Sequence, residues 1–286
     1  MDWLDRMNRA LEYIEANLSG QIELEQAARI ACCSPFHFQR MFSYIADLPL
    51  AEYIRRRRMS RAAADLQAGE RVLDVALKYG YNSPTAFNRA FQAVHGLPPS
   101  RAGSGGAVVK AYPPISFQIT IKGEVEMEYR IEKKPAIRIV GSKTSFTGGQ
   151  AQGFAQIPGQ WTQAAQAGLI PRLCALMDGE PKGILGVCSI ADGQAFDYYI
   201  AVASAQPAPE DLFSFEIPAA TWAIFDCVGP LPGAMQALQK RIFSEWLPTS
   251  GYEYASAPDI ELYFEGDRSA AGYRSQVWLP VFKAKG

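Results

Sequence analysis

The chain has 286 residues, 48% of them hydrophobic and 20% charged, with a formal net charge of −1. That length suits two domains that each bury a core, and the balance is that of an ordinary soluble protein. No apolar run reaches the roughly 18–20 residues that span a bilayer. Five cysteines lack any CxxC pair, and the only histidines are His37 and His95, which argues against a disulfide framework, a metal centre or a histidine-based triad. The amphipathic, acid-bearing start MDWLDRMNRALEYIE is unlike a signal peptide, so a cytoplasmic location without a membrane partner is expected.

Charge is unevenly spread. Residues 1–110 carry 14 Lys and Arg against 11 Asp and Glu, whereas the remainder carries 14 against 18. The excess is densest between residues 34 and 101, with ten basic and five acidic residues, and points to an anionic partner for the first part alone.

In chain order, Leu4, Met7, Leu11, Ile14 and Leu18 recur at helical spacing, and Gly20 ends that helix. A short helix follows over 22–31. Ser34 then reads as an N-cap with Pro35 at the first helical position, opening a helix with Phe38, Met41, Phe42 and Ile45 on one face. His37, Gln39, Arg40 and Ser43 lie largely off that face. A longer helix is predicted over 50–68, then another over 72–79, and Ser83-Pro84 opens a helix that turns Phe87, Phe91 and Val94 inward. Residues 101–123 begin rich in Gly and Ser and read as a linker with an extended end.

From residue 125 the period becomes that of strands: VEMEYRIEKKP, AIRIVGSKTSF, GILGVCSI, AFDYYIAVA, FSFEI, TWAIFDCVG, DIELYFEG and YRSQVWLPVF. Helices are predicted over 152–167 and 233–246, each with a Trp inside, Trp161 and Trp246. The expected fold is therefore multidomain: an all-α domain with two helix-turn-helix units, then an α+β domain of duplicated strand-helix-strand-strand units. The expected boundaries are 1–106, a linker over 107–124, and 125–286.

The first domain repeats a phrase. SPFHFQRMF at 34–42 and SPTAFNRAF at 83–91 are 49 residues apart, each with an Arg six residues after its capping Ser. The Phe pairs belong to a helical core, but an outward Arg40 and Arg89 ask for another explanation. A short helix, a turn and a Ser-capped helix with polar residues outward is the helix-turn-helix pattern, and the Arg fork matches guanine O6 and N7. The run Arg55-Arg56-Arg57-Arg58 with Arg61 reads mainly as a solvated face paired with Glu52 and Asp65. One or two of these arginines, and Lys78, are expected on phosphate.

These residues resemble a known family. SPFHFQRMFSYIADLPLAEYIRRRRMSRAA and VLDVALKYGYNSPTAFNRAFQAVHGLPPSR are similar to the DNA-binding domain of the AraC/XylS transcription regulators, near the MarA/Rob/SoxS branch. The resemblance implies two recognition helices in successive major grooves of double-stranded DNA, one duplex turn of about 34 Å apart. By position, Phe36, His37, Gln39, Arg40 and Ser43 would face DNA from the first helix, and Thr85, Asn88 and Arg89 from the second. The first is expected to read more bases.

FDYYIAV, ATWAIFDCVGP, EWLPTSGYEYASAPDIELYF and VWLPV resemble the gyrase-inhibitory-like effector-binding domain. That resemblance implies a cleft for a small hydrophobic, often cationic ligand, with a carboxylate in an aromatic pocket. Glu261 matches the carboxylate; Asp259, Tyr263 and Glu265 share its strand face. Candidate walls are Trp161, Tyr199, Trp222, Phe225, Tyr263 and Trp278, with Phe146 weaker; aromatic residues there fit a pocket or a plain core equally. Only one of Tyr198 and Tyr199 can face the cleft. The implied function is a sequence-specific regulator that senses a ligand, without cofactor, metal or catalytic residues, and with RNA polymerase as a further partner. The alternatives are hydrolysis of a small hydrophobic compound at Glu261, or binding of a protein partner.

Overall fold

The computed structural model describes residues 3–104, 106–118, 126–146, 150–190, 196–255 and 257–283. Its helices are α1 (Trp3–Ala16), α2 (Leu24–Ile30), α3 (Pro35–Ala46), α4 (Leu50–Gln67), α5 (Val72–Lys78), α6 (Pro84–His95), α7 (Pro99–Ala102), α8 (Gln150–Gln166), α9 (Leu169–Leu176) and α10 (Gly233–Arg241). Its strands are β1 (Tyr129–Lys134), β2 (Ile137–Phe146), β3 (Ile184–Ile190), β4 (Phe196–Ala203), β5 (Phe213–Ile217), β6 (Ala220–Val228), β7 (Tyr252–Tyr254), β8 (Asp259–Tyr263) and β9 (Arg274–Lys283). Two units emerge: residues 1–32 with 46–118, and residues 33–45 with 119–286.

The first unit is helical. Met7, Leu11, Ile14 and Leu18 are buried as their spacing requires, while Leu4 is half-buried. Met59, Ala62 and Leu66 of α4 pack with Val75 and Ala76 of α5 and with Phe87, Phe91 and Val94 of α6. Ser83 caps α6 by accepting from the Ala86 N–H, with Pro84 in the first turn.

The internal repeat survives in the backbone. α3 and α6 have equal length, 12 residues, and an offset of 49. Each is followed by a left-handed residue, Asp47 at φ 54° and Gly96 at φ 78°. Gly adopts that region freely, and Asp is among the few side chains that tolerate it.

The arginine run is absorbed by the unit itself. Arg55 and Arg56 pair with Glu52, Arg57 pairs with Glu15 at 2.7 Å, and Arg58 donates to the carbonyls of Leu18 and Gly20. Successive helical residues point 100° apart, so Arg57 and Arg58 reach acceptors different from the Glu52 that Arg55 and Arg56 share. Asp65 pairs with Lys78 at 2.8 Å rather than with the run.

Residues 107–118, which composition marks as linker, lie extended and pinned to this unit. The Lys110 N–H donates to His95 Nδ1, the Tyr112 N–H to Ser60 Oγ and the Ile115 N–H to the Tyr53 hydroxyl. Phe117 is buried, and its N–H and C=O bind the Asn8 amide at 2.8 and 3.0 Å. Residues 119–125 lie outside the described residues.

The second unit is built on one sheet in the order β1-β6-β9-β8-β3-β4-β2-β5, with β7 paired to β9. Two strand-helix-strand-strand units are plain in it. In one, β2, α8–α9, β3 and β4 lie as β2-β4-β3; in the other, β6, α10, β8 and β9 lie as β6-β9-β8. They join where β8 pairs antiparallel with β3. The leading strands cross over: β1 pairs with β6 and β5 with β2.

Three elements among the described residues were not anticipated: α7, α9, set off by left-handed Gly168, and the short β7; the helix expected over 233–246 ends in a π-helical turn, Ile242–Trp246. One sheet face carries the core: Ile139, Leu185, Val187, Tyr199, Trp222, Ile224, Ile260, Leu262 and Trp278. Strand alternation turns Glu261 and its neighbours to the other face.

Candidate functional site: a carboxylate cleft in the second unit

β8 presents Asp259, Glu261 and Tyr263 on the face opposite the core, because Ile260 and Leu262 alternate into it. Glu261 is half-buried. Its Oε1 accepts from Gln239 Nε2 of α10 at 2.6 Å, and its Oε2 from the Tyr263 hydroxyl at 2.7 Å. Both donors are neutral, and among the described residues no Lys or Arg forms an ion pair with it. Beside it, Trp161 of α8 donates its indole N–H to the Tyr198 hydroxyl at 2.8 Å.

Burial, reinforced by the Glu261 charge, pushes the hydroxyls of Tyr198 and Tyr263 up, so both stay neutral. Beneath them, Gly186 of β3 leaves the room they need. A Cβ there would lie 2.4 Å from the Tyr198 hydroxyl and 3.2 Å from Glu261 Oε2. Trp161 and Tyr263 meet edge to face at 4.8 Å, and the Arg268 guanidinium lies over both rings, 4.9 and 5.3 Å from their centroids.

α3 completes this cleft. Residues 33–45 belong to the sheet unit by their contacts, and one face of α3 is turned into it. Phe36 packs on Phe196, His37 lies 3.9 Å from the Tyr254 ring, and Tyr44 stacks on Phe243. Arg40 forms an ion pair with Asp259 in which both side chains are 4% exposed, and its guanidinium lies 5.6 Å from the Tyr44 ring centroid. The Tyr44 hydroxyl donates to Gln239 Oε1 at 2.6 Å, linking α3 through Gln239 to Glu261.

Burial opposes the Arg40 charge, but Asp259 outweighs it and holds the guanidinium well above its ordinary range. Burial, then the nearby Arg40 charge, pushes His37 down to about 3, so its ring is neutral. Ser34 Oγ lies 2.9 Å from His37 Nδ1 and also accepts from the His37 N–H, in the capping position.

The sequence-predicted residues are thus divided. Glu261, Tyr263 and Trp161 come together. Tyr199, Trp222 and Trp278 lie in the core on the opposite face, and Tyr198 is the tyrosine that faces the carboxylate. Phe225 is buried against Tyr129 and Trp246, and Phe146 stacks on Phe196.

Of the predicted DNA-facing residues, Phe36, His37 and Arg40 are buried in the cleft, and Gln39 and Ser43 are half-buried. Thr85, Asn88 and Arg89 on α6 are exposed. Sequence reasoning left Tyr198 and Tyr199 as alternatives and missed Gln239, Tyr44 and Arg268. Asp259 carried a signal, being two residues from Glu261 on the same strand face.

Two family models match the chain. One, described as a GyrI-like small molecule binding domain, covers residues 127–281; the other, a helix-turn-helix domain of AraC type, covers 27–103. The helical part is similar to the HTH-type transcriptional activator AarP of Providencia stuartii, 40% identical over 33% of this chain and 70% of AarP. It is also similar to the Right origin-binding protein of Escherichia coli K12, 36% identical, although the match spans only 32% of that protein.

Among solved structures, SAV2435 bound to tetraphenylphosphonium is similar at 27% identity and a TM-score of 0.51, over 55% of this chain and 94% of that one. A putative transcription regulation protein of Staphylococcus aureus MU50 is similar at 26% identity and a TM-score of 0.50, over 55% and 99%.

Proposed function

Because the chain belongs to the GyrI-like small-molecule-binding family and carries an AraC-type helix-turn-helix domain, it is a transcription regulator, and we propose that its effector is a hydrophobic aromatic cation held at Glu261. One observation carries this reading: a half-buried carboxylate is bonded by Gln239 and Tyr263, and among the described residues both of its hydrogen-bond donors are neutral. A buried charge favours a partner of opposite sign, and the cleft offers that place to a ligand.

Trp161 and Tyr263 supply aromatic faces, where a cation gains roughly 0.5–2 kcal/mol each. Arg268 lies over those faces and would swing aside for the ligand. The cationic ligand of SAV2435, tetraphenylphosphonium, supports the chemical class. Thr85, Asn88 and Arg89 contact double-stranded DNA from α6, and Phe36, Gln39 and Arg40 read bases when α3 is accessible. RNA polymerase is the partner downstream, and the ligand is bound rather than turned over.

Calorimetric titration of tetraphenylphosphonium and of a neutral aromatic of similar size tests the ligand reading. Glu261→Gln is expected to weaken the cation about tenfold to a hundredfold, the range of one buried charge contact, and the neutral compound about threefold at most. Equal losses for both would mean that the Glu261 charge plays no part. A product peak on incubation, abolished by Glu261→Gln, would favour hydrolysis instead.

A further inference from the structure

Asp259 is a second carboxylate of the cleft, two residues from Glu261 on the same strand face, and its partner is supplied by the chain itself. We propose that Arg40 is a resident pseudo-ligand at Asp259, so that the DNA-reading face of α3 and an aromatic cation compete for one cleft and the cation releases α3 to bind DNA. This rests on the reading of Glu261 as a cation site and deepens it by assigning the regulation.

Three observations carry the competition. First, the residues of α3 that enter the cleft, Phe36, His37, Arg40 and Tyr44, form one helix face at spacing i, i+1, i+4 and i+8. Phe36, His37 and Arg40 are also residues expected on DNA, and side chains 1%, 2% and 4% exposed cannot reach a base edge. Second, the contact copies the ligand chemistry. A cation meets a buried carboxylate, with an aromatic ring, Tyr44, at cation–π distance. Third, Glu261 is joined to the docked helix: it accepts from Gln239, and Gln239 in turn accepts from Tyr44 of α3. A ligand that draws Glu261 or Gln239 to itself therefore removes an anchor of α3.

The direction of the coupling follows from charge. Withdrawing Arg40 alone leaves the Asp259 carboxylate buried without its partner, which is strongly unfavourable. A cation in the cleft supplies the missing charge, while DNA offers Arg40 a guanine edge or a phosphate. Each ligand thus removes the penalty that opposes the other, so cation and DNA bind with positive cooperativity and by the same factor in both directions. The second helix, α6, with Thr85, Asn88 and Arg89 exposed, holds DNA in either state. The cation controls only the first reading head.

The test uses the full chain and amide hydrogen exchange over residues 35–46, with tetraphenylphosphonium as the probe. Asp259→Asn, which keeps the side-chain shape, is expected to speed exchange in α3 about tenfold without any ligand, the scale of a modest population shift. Saturating tetraphenylphosphonium should do the same in the wild-type chain. Arg40→Ala should bind the cation about tenfold more tightly, because its internal competitor is gone. Binding of the cation with unchanged protection of α3, and equal affinity in Arg40→Ala, would overturn the proposal and leave the cation site standing. Failure of the cation to bind either chain would remove the ligand reading. The Asp259→Asn arm then decides the docking alone: faster exchange supports it, and unchanged exchange refutes it.

Discussion

Arg40 and Asp259 form an ion pair with both side chains 4% exposed, although 219 residues separate them in sequence. A pair so deeply buried contributes little net stability over an apolar contact, but breaking it from one side is expensive. That asymmetry suits a latch, which opens only when something else fills the place left empty.

DNA affinity should separate the two arginines. Arg89→Ala, on exposed α6, is expected to weaken binding to a selected duplex roughly fivefold to a hundredfold with or without tetraphenylphosphonium, the range for one base-edge contact. Arg40→Ala should have a comparable effect only when the cation is present. A fluorescence-anisotropy titration in four arms reads both, and an equal loss from Arg40→Ala without the cation would contradict a docked α3.

Acid should loosen α3. Burial and then Arg40 hold docked His37 at about 3, against an ordinary 6.5, so docking binds the neutral ring. The contribution is complete above pH 6.5 and is lost progressively as pH falls toward 3, about tenfold in the docking constant per unit. Around the ring, burial pushes Tyr254 of β7 and Cys188 of β3 up, and Asp259 of β8 holds Arg40 up, so these three keep one charge state between pH 7.5 and 5.5. Exchange in residues 35–46, corrected for intrinsic rate, is expected to rise about tenfold over that interval, and His37→Gln should abolish the rise.

Removing the internal cation from the aromatic pair should favour the external one. Arg268 lies 4.9 Å from the Trp161 centroid and 5.3 Å from that of Tyr263. Arg268→Ala is expected to tighten tetraphenylphosphonium about threefold to tenfold, in keeping with one or two cation–π contacts. Weaker binding would mean that Arg268 builds the site rather than fills it.

A single methyl group should damage the cleft floor. Gly186→Ala places a Cβ 2.4 Å from the Tyr198 hydroxyl, which is itself held by Trp161. Overpacking of this kind costs about 1–3 kcal/mol. Thermal unfolding should move to lower temperature, and the Trp161 fluorescence should change as its hydrogen bond breaks. An unchanged melting curve would show that Tyr198 yields freely.

Sequence alone determined most of the elements and the kinds of domain. Caps such as Ser83-Pro84, helical stripes such as Met7-Leu11-Ile14-Leu18 and the alternation of DIELY are local patterns, and local patterns determine local structure. They also determined that Glu261 and Asp259 share a strand face. Only the tertiary structure decided what that face meets.

Whether Tyr198 or Tyr199 looks at Glu261 depends on the register of β4 against β3 and on which side is core, and neither is written in either strand. The same holds for residues 107–118: composition reads them as an extended linker, but only the fold brings the Asn8 amide, far away in sequence, to pin Phe117. The fate of Arg40 is the clearest case. An outward arginine on a capped helix suits a guanine and a buried carboxylate equally well, and the side chain is the same for both. The choice lies in long-range packing that brings Asp259 to it, not in the nine residues around it.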